Sequence, residues 1–203
     1  RPPRSTLFPY TTLFRSRELD SVVIATDSQR VENAMQELDI PVELTGSNHS
    51  TGTERVAEVA SRHKDEIVIN IQGDEPFISP DIIDGAVLLL LEEKSIQMST
   101  AASLSLSQDE WENPNVVKVE LDDDGFAKDF FRVPEGEQST KHLKHIGIYT
   151  FRREYLLKLV KMEKSSREIE RRLEQMRAMD IDCKMGVFVD RKSTRLNSSH
   201  TSI

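Results

Sequence analysis

Asp74 and Glu75 stand at the end of an apolar run in IVINIQGDEPFI, residues 67–78. Carboxylates placed there could meet a hard cation or a phosphate. Nucleotide chemistry needs such a ligand, because the charge of a triphosphate must be partly neutralised before a nucleophile approaches phosphorus. Asp74 is the candidate ligand for Mg²⁺. The plain alternative is a pair that only shapes a turn or caps the next element, since short acidic pairs are common. A second constellation is NHSTGTERVAEV, residues 48–59. Thr51 and Glu54 stand three apart before an apolar-periodic stretch, which reads as a capping box at a helix start. Around Gly52 the box leaves over His49, Asn48, Ser50, Thr53 and Arg55, a set of donors suited to an anion or a base edge. A third pair, His145 and Tyr149, lies four apart on a strand-like run and so shares one face. A satisfied core histidine beside a packed tyrosine explains that pair equally well. SREIERRLEQMRAM, residues 166–179, reads by its charge density as a solvated face.

These residues need elements to hold them. Ile67, Val68, Ile69 and Ile71 are β-branched and nearly continuous, which predicts a parallel strand covered on both faces. Gly73 and Pro76 end it, delivering Asp74 and Glu75 to the edge where open α/β sheets bind ligands. Before it, Val22 to Thr26 reads as a strand, with Asp27 capping a helix that turns Val31, Ala34, Met35 and Leu38 inward. Val42 to Leu44 reads as a short strand, followed by a helix with a Val56, Val59, Ala60 and His63 stripe. Pro80 opens a helix running to Glu93. This alternation predicts a doubly wound α/β sheet. From Met98 the pattern changes to strands at 98–106, 116–121 and 126–132 with a hairpin at DDDG, read as a small inserted β lobe. A strand at 145–151, one helix at 166–179 with Ile169, Leu173 and Met176 inward, and a last strand CKMGVFV complete the domain.

Composition narrows the function. No apolar run approaches the ~20 residues of a membrane span, so no membrane partner is expected. Twenty-seven Lys and Arg against 35 Asp and Glu leave a net charge of −8, which argues against broad nucleic-acid binding. Cys183 is the single cysteine and reads as inert packing; with no signal-peptide pattern, a cytoplasmic setting is favoured. Residues 1–16 and 191–203 contain no acidic residue, and 17–190 carry them all. The two ends read as non-native, adapter-like tails flanking the domain at 17–190; native mobile tails are the other reading.

The segments VVIATDSQRV, HSTGTERVAEV, VINIQGDEPFI, NPNVVKVELDDDGFA, KHIGIYTF and LEQMRAM, in this order and spacing, resemble the 3-deoxy-manno-octulosonate cytidylyltransferase (CMP-Kdo synthetase) family across most of residues 19–185. The resemblance implies a Rossmann-like nucleotide-diphospho-sugar transferase fold with a small dimerisation lobe, and a homodimer. It implies a Mg²⁺-dependent reaction of CTP with 3-deoxy-manno-octulosonate (Kdo) in lipopolysaccharide synthesis. Asp74 would be the catalytic, metal-binding carboxylate. Gln72, with Thr51, Gly52, Thr53 and Arg55, would hold the nucleotide; His145, Tyr149, Glu174, Gln175 and Arg132 would lie on the sugar side. An 8-amino-Kdo or sialic acid cytidylyltransferase, or a non-catalytic nucleotide-sugar-binding protein, are the alternatives. The sequence departs from the family's pattern in places. Nothing before Val22 supplies the family's basic, glycine-containing phosphate loop, because the first Gly is Gly46 and the first Lys is Lys64. Asp190 lacks the context of the family's second metal-binding Asp and reads as a strand-end residue. DFFRVPEGEQ departs from the aromatic-Ser-Arg-x-Pro-Ile-Pro pattern around Arg132, and Thr51 replaces the usual Ser. The first strand and C-terminal end of the fold are therefore expected to be missing, and the chain as written to be inactive.

Overall fold

Short β-branched runs form strands and the amphipathic stretches between them form helices in the computed structural model, which describes residues 15–36, 38, 40–73 and 78–191. The expected tails lie largely outside the described residues, as do Asp74, Glu75 and Pro76. β1 (Ile24–Thr26), α1 (Gln29–Gln36) and β2 (Val42–Leu44) make a βα unit whose strands pair in parallel, Ile24 opposite Val42. Asp27 does not cap α1. Its carboxylate pairs with Arg55 at 3.1 Å, and Ser28 precedes the helix, its carbonyl accepting from Val31 and Glu32. The α1 stripe is not sealed either: no residue of α1 is buried, because the helix packs mainly on two three-residue strands.

The rest builds one sheet. It is formed by β3 (Ile67–Ile71), β4 (Met98–Ser103), β5 (Lys118–Leu121), β6 (Ala127–Phe131), β7 (His142–Arg152) and β8 (Met185–Asp190). The order is β6-β5-β7-β4-β8, with β3 also paired to β7. Here the sequence reading needs correction, since β3, predicted as a parallel strand, runs antiparallel to β7, with Ile67 opposite Arg152. β4 and β5 also run antiparallel to β7, and only β4–β8 is parallel in this sheet. The fold is α/β with a mixed central sheet, not a parallel doubly wound one.

The segment predicted as a small inserted β lobe is continuous with this sheet. The predicted hairpin does form, as β5 and β6 around Asp122, whose carboxylate accepts from Asp124 and Phe126 while Gly125 takes φ +87°. Yet β5 continues the ladder of β7, and β4 is a central strand whose every residue is buried. Helices cover both faces. α3 (Pro80–Glu92) sets Ile82 and Ile83 against Ala101 and Ile148 on one face. On the other, α2 (Gly52–Arg62) and α5 (Arg153–Leu159) bring Ala57, Ala60 and Leu156 against Met98 and Phe151. The α3 contact is close enough to require a glycine, because a Cβ on Gly85 would lie 2.2 Å from the Phe188 ring.

The single helix predicted over 166–179 is two. α6 (Ser166–Arg171) ends at Arg172, which adopts a left-handed conformation at φ 55°, and α7 (Met176–Met179) restarts after it. This break changes the helical phase, so Leu173 and Met176 are buried as predicted while Ile169 points to solvent. Asp190 closes β8, as its position suggests. Cys183 packs against the core, and burial pushes its thiol pKa up, which fits an inert role.

Candidate active site

The N-terminus of α2 is held by an arrangement related to a capping box but shifted by one residue. Thr51 Oγ1 accepts from the Glu54 N–H at 3.2 Å, as predicted. The Glu54 carboxylate reaches past Thr51 to the Ser50 N–H at 2.8 Å and the Ser50 hydroxyl at 3.0 Å. Lys164 donates to that hydroxyl at 2.9 Å, which ties the turn to the segment before α6. Thr53 points inward, where Asn70 on β3 donates to its hydroxyl oxygen at 3.4 Å. Gly52 is exposed, and a Cβ there would meet nothing within 4 Å, so the backbone above this helix end is open.

Thr51 and Thr53 line a cavity together with Tyr149, Glu174, Gln175 and Arg177. Residues assigned separately to the nucleotide and the sugar thus converge on one place. Tyr149 comes from β7, Glu174 and Gln175 from the turn between α6 and α7, and Arg177 from α7. The cavity is about 10 Å³, roughly the space of one water. Its floor has unused hydrogen-bonding capacity: among the described residues, Glu174 Oε2 and Gln175 Nε2 are buried without a partner. Burial, with Glu174's charge adding and Arg132's opposing, pushes the Tyr149 phenol well above its usual range. Tyr149 is therefore a neutral donor at any ordinary pH. Met98, Phe151, Leu159 and Val160 complete the lining, so the two unpaired atoms are polar points in a largely apolar wall.

The remaining predicted residues divide. His145 lies on the same face as Tyr149, ring centroids 5.4 Å apart, with Phe130 edge-on at 5.3 Å. Burial lowers its pKa to about 3, so the ring is neutral. Arg132 is outside the cavity lining; it donates to the Pro114 carbonyl at 3.4 Å. Arg55 faces away from the cavity, bonding Thr45 at 2.6 Å as well as Asp27, and so braces the β1 and β2 loops. Gln72 is half-buried just beyond β3. Asp74 lies outside the described residues, and among those described no three His, Cys, Asp or Glu side chains gather as a metal site.

The sequence reading missed three buried charges. Lys118 is fully buried on β5, its ammonium donating to the carbonyls of Asn113 and Arg132, each at 2.7 Å. Burial, then the Arg132 charge, lowers its pKa. Arg177 forms a two-pronged pair with Glu168, both bonds 2.7 Å, with side chains only 7% and 5% exposed. The run read as a solvated face contains this pair. Its nine-residue spacing fits no single helix face, and only the break at Arg172 brings the two together.

Comparison with known proteins places the chain. The Cytidylyltransferase family profile matches residues 8–185. A 3-deoxy-manno-octulosonate cytidylyltransferase of Geobacter sulfurreducens is 38% identical over 193 residues, covering 88% of this chain and 77% of the relative. This chain belongs to the 3-deoxy-manno-octulosonate cytidylyltransferase family. The enzyme of that name from Pelobacter propionicus is also 38% identical, over 84% of this chain and 73% of the relative. Among solved structures, a CMP:2-keto-3-deoxy-manno-octonic acid synthetase complexed with CTP superposes with a TM-score of 0.83 at 30% identity, over 90% of this chain and 77% of that one. A Leptospira borgpetersenii cytidylyltransferase, at 16% identity and a TM-score of 0.56, shares the fold. Among the described residues of this family member, no helix is long and apolar enough to cross a membrane.

Proposed function

We propose that this protein joins CTP and Kdo to give CMP-Kdo and pyrophosphate, for lipopolysaccharide synthesis in the cytoplasm. The carrying observation is the convergence of Thr51 and Thr53 with Tyr149, Glu174 and Gln175 on one partly unsatisfied cavity, in a chain related to a synthetase solved with CTP. In this reading the N-terminal turn of α2 receives the nucleotide. Tyr149 and Gln175 donate to the sugar, and Glu174 accepts from a sugar hydroxyl. Their task is positioning: the anomeric hydroxyl must be held in line with the α-phosphate, and in phosphoryl transfer alignment and charge neutralisation supply most of the acceleration. A sugar is far larger than one water, so its entry parts the cavity wall. Mg²⁺ at Asp74 belongs to this proposal too. Bound there it would neutralise part of the triphosphate's charge.

Residues 1–21 contain neither Lys nor Gly to cradle a triphosphate. We therefore expect the 203-residue chain as written to stay below detection, and turnover to appear when the N-terminal segment of the Geobacter relative is grafted ahead of Val22. The test is CTP-dependent pyrophosphate release with Kdo, 8-amino-Kdo and N-acetylneuraminate. Fastest release with Kdo is the expected result. A folded chimera that releases pyrophosphate with none of the three would refute the function, and family-like rates from the unmodified chain would refute its inactivity. A homodimer is also expected, and light scattering showing a stable monomer at micromolar concentration would count against it.

A further inference from the structure

Thr100, on the central strand β4, has three hydrogen-bond neighbours and one hydroxyl proton. Its Oγ1 lies 2.7 Å from the Ile148 carbonyl, 2.8 Å from His145 Nε2 and 3.5 Å from the Ile146 carbonyl. A β-bulge brings these groups together. Thr100 pairs with Tyr149 and Ala101 with Ile146, so Gly147 and Ile148 have no counterpart on β4, and the Ile148 carbonyl and the His145 ring both reach one hydroxyl.

The proton count then fixes the histidine. A carbonyl only accepts, so the 2.7 Å contact to Ile148 must use the Thr100 O–H. The hydroxyl meets His145 with a lone pair, and His145 Nε2 must carry the hydrogen. We infer that Thr100 is a positioning residue that holds His145 as the Nε2–H tautomer, leaving Nδ1 as a bare acceptor for a hydroxyl of the sugar substrate. Among the described residues no hydrogen bond reaches Nδ1. Phe130 edge-on and Tyr149 beside the ring limit its rotation, so the tautomer also sets where the acceptor lies. The ring is neutral at working pH, as an acceptor must be. Thr100 is wholly buried, so it acts through the ring. The sugar part of this inference rests on the proposed function; the tautomer part does not.

The test uses the unmodified 203-residue chain with ¹⁵N-labelled histidine, whose ring nitrogens report protonation separately in NMR. His145 is assigned by the loss of its signals in His145→Gln. The expected spectrum shows Nε2 protonated and Nδ1 bare from pH 8 to 5. Thr100→Val keeps the shape but removes the acceptor, and it should raise the Nδ1–H population several-fold; Thr100→Ser should restore the wild-type pattern. Wild-type signals from an Nδ1–H ring, or an unchanged tautomer in Thr100→Val, would overturn the inference. Kdo added to the same sample should shift Nδ1, and Thr100→Val should weaken that binding by about fivefold, the worth of one neutral hydrogen bond. If the tautomer is as stated but no Kdo concentration moves Nδ1, the sugar-side assignment fails while the role of Thr100 on the ring stands.

Discussion

Glu168→Gln removes the charge from a buried pair while keeping its size, and the structure says what that should cost. Arg177 would remain 6% exposed with no carboxylate hydrogen-bonded to it, the charges of Glu54 and Glu174 acting on it only from further off. Its other contacts, to the carbonyls of Leu159 and Met162, are long at 3.5 and 3.4 Å and cannot replace two bonds of 2.7 Å. Stranding one member of a buried ion pair typically costs about 3–5 kcal/mol. For a domain of this size each kcal/mol moves Tm by about 2–4 °C, so a fall of roughly 6–20 °C is expected. Replacing both partners by apolar residues, Glu168→Leu with Arg177→Met, should recover most of the loss, because the apolar pair carries no stranded charge. Urea denaturation followed by circular dichroism, with thermal melts alongside, measures all three proteins. A loss under about 1 kcal/mol in Glu168→Gln, the range of an exposed pair, would refute the reasoning, as would a double variant no more stable than the single one.

Lys118→Met should destabilise by about 1–3 kcal/mol, because it leaves the Asn113 and Arg132 carbonyls without their buried donor; an unchanged urea midpoint would contradict this. Gly85→Ala forces a methyl into the Phe188 ring and should cost about 1–3 kcal/mol, with partial rescue by Phe188→Leu, both read from thermal melts. His145 stays neutral in the fold down to about pH 3, whereas the unfolded chain takes up its proton near pH 6.5. The unfolded state therefore binds more protons between these values, so this contribution to stability is whole above about pH 6.5 and is lost progressively as pH falls toward 3. Stability measured against pH should fall less steeply over that window in His145→Gln than in the wild type.

The strands and helices were largely legible in the sequence because each rests on a local pattern. Ile67 to Ile71 announces a strand by its β-branched run, and Thr51 with Glu54 announces a helix start. Strand direction was not legible. The neighbour of β3 is β7, far along the chain, and a fully apolar strand looks the same beside a parallel or an antiparallel partner. The candidate site was legible in its parts, since Tyr149, Glu174, Gln175, Thr51 and Thr53 do meet. Arg55, which carries the same kind of local signal, does not join them; its partners, Thr45 and Asp27, lie just beyond β2 and β1. Glu168 and Arg177 were hidden because a left-handed residue between two short helices leaves no periodic trace.

β7 is the common neighbour of β3, β4 and β5. During synthesis at the ribosome, a nascent chain that has not yet emitted residues 142–152 can close, among the described strands, only the β1–β2 and β5–β6 pairs; β3 must wait with its edge open, and β4 also waits for β8. Closing pairs so distant in sequence is slow, and open edges invite association with other chains in the meantime. The arrest position on the ribosome at which the nascent chain first resists protease should therefore fall after β7 has cleared the exit tunnel, however early β3 and β4 were made.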